Sequence, residues 1–112
     1  MFCDSSKPGG IISRKGINTF IEKIFFLLNN YESKNKALAE LLARNICGIH
    51  FLSVRGQKEK RHLLVMRKLF LNCLFLLMLW KRAGNMGGMA YAALKSECEG
   101  FLREIEAAIN SR

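Results

Sequence analysis

Histidines, cysteines and clustered carboxylates are the side chains on which a prediction of catalysis or metal binding would depend. His50 and His62 are the only histidines, and His50 lies in the apolar run GIHFL whereas His62 lies in a basic run. The four cysteines form no C-x-x-C pair. The glutamates within 97–106 have the pattern of the polar side of an amphipathic helix. The sequence therefore predicts no enzyme, no catalytic residue, no metal site, no cofactor and no small-molecule substrate.

A basic segment is the strongest candidate for a binding site. Six cations fall within 14 residues and are opposed only by Glu59: Arg55, Lys58, Lys60, Arg61, Arg67 and Lys68. On a helix, Arg61 and Lys68 lie on one side, two turns apart, because they are seven residues apart. Such an array can follow the phosphates of DNA or RNA, and each contact makes the affinity more salt-dependent. The leading hypothesis is therefore a small basic helical accessory protein that binds nucleic acid or a nucleoprotein partner, mainly through phosphate contacts. A merely solvated basic face stays open as the alternative.

The charge of the whole chain is strongly basic and uneven. Lys and Arg number 18 against 9 Asp and Glu, which gives a formal net charge of +9. Residues 1–88 carry 15 cations and 5 acids, whereas residues 89–112 carry 3 and 4. A basic body beside a near-neutral last segment favours an acidic partner, and nucleic acid, an anionic membrane and an acidic protein all qualify.

Two broadly apolar stretches, 25–28 and 69–80, support a second hypothesis. A chain of 112 residues has a limited core, so side chains on such faces can remain for a partner to cover. The candidate partner-binding residues are Phe25, Phe26, Phe70 and Leu76. This alternative is a protein-binding adaptor or assembly subunit that forms a homo-oligomer or docks into a larger complex.

The third hypothesis is a short membrane-associated protein. The apolar stretch 69–80 lies between Lys68 and Lys81 and spans about 18 Å as a helix, whereas a hydrocarbon core needs roughly 30 Å. A buried core helix is therefore preferred. The first 16 residues have no apolar signal region, and three cysteines fall in helical patterns, as buried free thiols do. These features predict a soluble intracellular protein in a reducing compartment.

The apolar spacing predicts an all-α fold, a small bundle of about four helices. Helices are expected over residues 17–31, 36–53, 58–82 and 89–110, because apolar residues recur there at three- and four-residue steps. The cations Lys81 and Arg82 followed by Gly84 predict the end of the third helix. Residues 1–16 are rich in Gly and Ser and are expected to form a flexible basic arm, followed by a single helical domain over 17–112. The stretch 69–80 is predicted to occupy the centre of the bundle, which would account for its apolarity on all sides.

One segment resembles a known DNA-binding motif. Residues 24–57 resemble the first helices of Cro/C1-type helix-turn-helix repressors. The residues that fall at the matching intervals are Ile24, Leu27, Asn35, Leu38, Ala39 and Leu42. Arg55 and Gly56 resemble the closing turn of that family. The resemblance implies a turn near Ala43 and a second helix that presents residues between Ile46 and Phe51 to the major groove.

Overall fold

Four α-helices make up nearly all of the described chain. The computed structural model describes residues 14–30, 36–55 and 59–111. The helices are α1 (Arg14–Asn30), α2 (Lys36–Arg55), α3 (Lys60–Arg82) and α4 (Gly88–Asn110). The described ranges contain no strand, and the predicted all-α bundle of about four helices is confirmed. Of the predicted flexible arm over 1–16, residues 1–13 lie outside the described part.

The first helix begins three residues before the predicted start at residue 17. Arg14, Lys15 and Gly16 already belong to α1, and the Thr19 hydroxyl donates to the Lys15 carbonyl oxygen at 2.9 Å. A glycine inside a helix costs only about 1 kcal/mol relative to alanine, so Gly16 does not prevent the extension. The buried residues Ile17 and Phe20 then anchor this end of α1 in the core.

Helices α2 and α3 pack side by side and run antiparallel. The Asn72 side-chain amide donates to Asn45 Oδ1 at 3.2 Å between α3 and α2. Gly48 lies three residues after Asn45 on α2, and it faces Leu69, which lies three residues before Asn72 on α3. A Cβ atom on Gly48 would lie 3.0 Å from Leu69 Cδ1. Glycine thus permits a close approach of α2 and α3. The equal and opposite steps identify an antiparallel pair.

The last helix is tied to α3 and α1 by contacts that also run in opposite directions. Arg67 pairs with Glu106 at 2.6 Å near one end of α3, and Lys81 Nζ lies 5.1 Å from the centre of the Tyr91 ring near the other end. On the side of α1, Lys23 pairs with Glu97 at 2.7 Å. Side chains of α4 therefore reach both α3 and α1.

Three aromatic rings occupy the middle of the core. Phe20 of α1, Phe70 of α3 and Phe101 of α4 are buried, and their ring centres lie 5.2–5.9 Å apart. Such distances are typical of favourable ring pairs, each contributing about 0.5–1.5 kcal/mol beyond its buried area. The cluster brings together helices that are far apart in sequence.

Gly84 ends α3, as the sequence predicted. Its φ angle of +83° lies in the left-handed region that favours glycine. The Gly84 amide donates to the Lys81 carbonyl oxygen at 2.9 Å, and the Asn85 amide donates to the Trp80 carbonyl oxygen at 3.1 Å. These two bonds form a Schellman motif, which satisfies carbonyl groups that the end of a helix leaves without partners.

The central position predicted for residues 69–80 needs correction. Helix α3 packs against α2 and α4 and reaches α1 through Phe70, but Leu71 and Phe75 remain exposed. In a four-helix bundle every helix occupies a corner, so one of its sides always points outward. Burial in this bundle therefore does not account for the whole apolar character of α3.

Candidate interaction surface on α3

Helix α3 carries two apolar stripes on nearly opposite sides. The inner stripe is fully buried and follows steps of three and four residues: Leu63, Met66, Phe70, Cys73, Leu77 and Trp80. The outer stripe follows the same steps, shifted around the helix: Leu64, Lys68, Leu71, Phe75, Met78 and Arg82. Alternating steps of three and four keep residues on one side of a helix. Each stripe is therefore continuous along α3.

The apolar members of the outer stripe are open to solvent. Leu64 is 40% exposed, Leu71 49% and Phe75 57%, and Met78 is half-buried. Scattered apolar residues are normal on protein surfaces, but an aligned row on one helix is a feature of interaction sites. The outer stripe is therefore the candidate interaction surface of the described chain.

Helix α2 adds further exposed apolar side chains. Leu41 and Phe51 are exposed, and so is Val65, which lies on α3 towards the α2 side. The two helices approach each other closely at Gly48. Helix α4 is different, because its outward side carries charged residues and Met89 is its one large apolar residue that is strongly exposed among those described.

The four residues predicted to bind a partner do not lie together. Phe70 and Leu76 are buried, so they contribute to the core and not to an exposed surface, and this part of the prediction is corrected. Phe25 and Phe26 are exposed on α1. The core lies between α1 and the outer stripe. Leu64, Leu71 and Phe75 were not among the predicted residues. The signal that could have found them is the second repeat of three- and four-residue steps in α3.

The predicted basic cluster divides between two sides of α3. Arg67 faces α4, where it pairs with Glu106 at 2.6 Å. Arg61 lies on the outward side and pairs with Glu59 at 3.0 Å. Both pairs are substantially exposed, so each contributes little to stability, at most about 1 kcal/mol. Arg67 thus contacts α4, and the spacing of the cations in the sequence did not indicate this contact.

Lys60 and Lys68 are exposed on α3, and Lys68 belongs to the outer stripe. Among the described residues neither makes an ion pair. Helix α3 itself contains no Asp or Glu, so the cations on its outward side meet no carboxylate from their own helix. Lys58 lies outside the described residues, and so does the side chain of Arg55 at the end of α2.

The groups with the chemistry for catalysis are dispersed or buried. Burial raises the pKa of the Cys73 thiol to about 12, and the pKa of Cys98 is also raised, first by burial and then by the nearby Cys73 and Glu99. Cys98 donates to the Phe70 carbonyl oxygen at 3.3 Å. Raised pKa values keep these thiols protonated and unreactive. Within residues 14–30, 36–55 and 59–111, no group of three or more metal-ligating side chains is close enough to hold an ion.

Helices α2 and α3 are both long and apolar enough to cross a membrane by length and composition alone. The stretches concerned are Lys36–Val54 and Lys60–Arg82, and 22% and 39% of their most apolar 18 residues are buried in the bundle. A core helix of a soluble bundle meets the same criteria, so this finding is weak evidence for a span. Helix α2 is also continuous through Ala43, where the resemblance to helix-turn-helix repressors implies a turn. That resemblance stays a prediction.

Comparison of the chain with known protein families, with curated proteins and with solved structures finds no match.

Proposed function

We propose that this protein is a binding subunit that docks onto another protein through the outward side of α3. The observation that carries the proposal is the outer stripe, in which Leu64, Leu71 and Phe75 are exposed in one row. Removing apolar surface from water contributes about 25 cal/mol per Å², so covering this row stabilises a complex. The protein acts by association and has no catalytic step of its own.

Site-specific photocrosslinking in the native cells tests this function. A photoreactive phenylalanine analogue replaces Phe75 on the outer stripe, and a matched variant carries it at the exposed Ser96 of α4. The proposal predicts a discrete crosslinked species from position 75 and none of that mass from position 96. Adding Leu71→Asp should remove the species, because the row loses apolar surface and a carboxylate taken out of water without a partner destabilises the contact. Equal crosslinking from both positions, or none from position 75, refutes the proposal.

Nucleic-acid binding is the second candidate, and the pair Lys60 and Lys68 favours it. Both are exposed on a helix without carboxylates, as residues that contact phosphates are. The apolar residues between them are the reason for ranking this candidate second, since phosphate contacts alone do not require exposed leucine and phenylalanine.

A salt series separates the two candidates. Binding of labelled duplex DNA and RNA is measured from about 50 to 300 mM salt, with Lys60→Glu/Lys68→Glu compared with Lys95→Glu/Arg103→Glu on α4. The two double variants change the net charge equally. Phosphate binding at α3 predicts a steep log-linear loss of affinity with salt and a selective loss in the α3 variant. Equal losses in both variants, or no binding at the lowest salt, eliminate this candidate.

A further inference from the structure

The outer stripe has the spacing of a helix-packing surface. Its six positions alternate steps of four and three residues from Leu64 to Arg82, the pattern that keeps two helices in contact along their length. The buried inner stripe of the same helix follows this pattern and packs against neighbouring helices. The outer stripe covers 19 residues and so extends about 27 Å, long enough for about five turns of a partner helix.

The charges along the outer stripe specify the partner further. Lys68 lies within the row, Arg82 ends it, and Lys60 and Arg61 flank its beginning. Arg61 pairs with Glu59, which immediately precedes α3, whereas Lys60, Lys68 and Arg82 meet no carboxylate from α3 itself. An amphipathic partner that covers the leucines also brings its flanking positions next to the lysines and arginines. Carboxylates at those positions complement them, whereas cations repel them.

A second copy of α3 lacks this complementarity. Two outer stripes packed together would bring Lys68 and Arg82 of each copy into an interface to which neither helix contributes an acid. An ammonium group taken out of water without a partner destabilises the contact. The charge pattern therefore favours a different chain over a homodimer at this surface.

We infer that the ligand of the outer stripe is an acidic amphipathic helix of a partner protein, packed along α3 with its apolar residues against Leu64, Leu71 and Phe75 and its carboxylates next to Lys68 and Arg82. This inference rests on the proposed docking function and specifies the partner of the same surface. The complex adds a fifth helix to the bundle in the helix-in-groove mode of recognition.

A designed peptide tests the inference directly. The probe is a fluorescent helix of about 21 residues with leucines at alternating three- and four-residue steps and glutamates at the flanking positions. Mutual repulsion of the glutamates keeps the probe monomeric. Fluorescence anisotropy should show saturable binding to the full chain. Lys68→Glu/Arg82→Glu should weaken binding by at least about tenfold and should restore affinity for a peptide in which lysines replace the glutamates.

The charge reversal is compared with Lys95→Glu/Arg103→Glu, which has the same net charge and should bind the acidic peptide as the unmodified protein does. Selective loss and restoration at α3 support the inference. Four results overturn it: no peptide binding, equal loss in the control variant, binding instead to vesicles of phosphatidylcholine with phosphatidylserine, or dimerisation that Phe75→Lys abolishes. If the peptide fails but crosslinking from position 75 persists, the docking function stands and the acidic-helix partner does not.

Discussion

Two phenylalanines on the same helix should differ greatly in their contribution to stability. Phe70 is fully buried, with ring centres at 5.9 Å from Phe20 and 5.2 Å from Phe101, whereas Phe75 is 57% exposed. Phe70→Ala should lower the free energy of unfolding by about 3–5 kcal/mol through lost contacts and a cavity. Phe75→Ala should lower it by about 1 kcal/mol or less, because under half of the ring is buried and alanine favours the helix by about 0.5 kcal/mol.

Urea denaturation followed by far-ultraviolet circular dichroism measures both changes. Because domains of this size have only about 5–15 kcal/mol of stability, Phe70→Leu is a second variant in case Phe70→Ala does not fold, and it should lose less. Equal losses for the alanine variants of Phe70 and Phe75, or a larger loss at Phe75, would refute the assignment of the inner and outer stripes.

Three further predictions concern contacts between helices and the buried thiols. Gly48→Ala should stabilise the Leu69→Ala variant by up to about 1 kcal/mol in urea denaturation, because alanine favours the helix and the side chain that it would touch is gone. In the unmodified protein the gain should be smaller, because the new methyl group contacts Leu69. Equal effects in the two backgrounds would contradict this close contact. A double-mutant cycle with Arg67→Gln and Glu106→Gln should give a coupling energy below about 1 kcal/mol that decreases with added salt, and a salt-independent value would count against an exposed pair. Burial raises the pKa of Cys73 to about 12, so the thiol stays protonated in the folded protein at pH values where it ionises in the unfolded chain. The free energy of unfolding should therefore fall as the pH rises from about 8.5 to about 12. The Cys73→Ala variant should show a shallower fall, and an identical slope in both proteins would contradict burial of the thiol.

The helices of the bundle could be predicted because their signals are local. Apolar repeats along the chain gave the approximate bounds of each helix, and Gly84 after the cations Lys81 and Arg82 correctly predicted the end of α3. The start of α1 was displaced by three residues because an extra helical turn through Gly16 costs little free energy. Helix ends are the least determined by local sequence wherever no strong breaker is present.

The orientation of α3 could not be predicted from the same signals. Phe70 and Phe75 both lie in a stretch that is apolar on all sides, so composition does not distinguish the buried ring from the exposed one. The choice depends on where α2 and α4 pack, which is settled by contacts between distant residues. Arg67 and Glu106 illustrate the point, since they are 39 residues apart and no local spacing relates them. The cations of α3 were predicted as one cluster, but tertiary packing assigns Arg67 to α4.

Cysteine accessibility on the outer stripe, compared between purified protein and native cell extract, tests the docking surface most directly. Single cysteines replace Leu71, Phe75 and, as a control on α4, Ser96, in a background without Cys3 and Cys47. Maleimide should label all three positions in the purified protein, because all three are exposed. In the extract, positions 71 and 75 should become protected while position 96 stays reactive. Equal labelling of positions 71 and 75 in both samples would contradict the account, because a surface that remains open in its native setting has no partner.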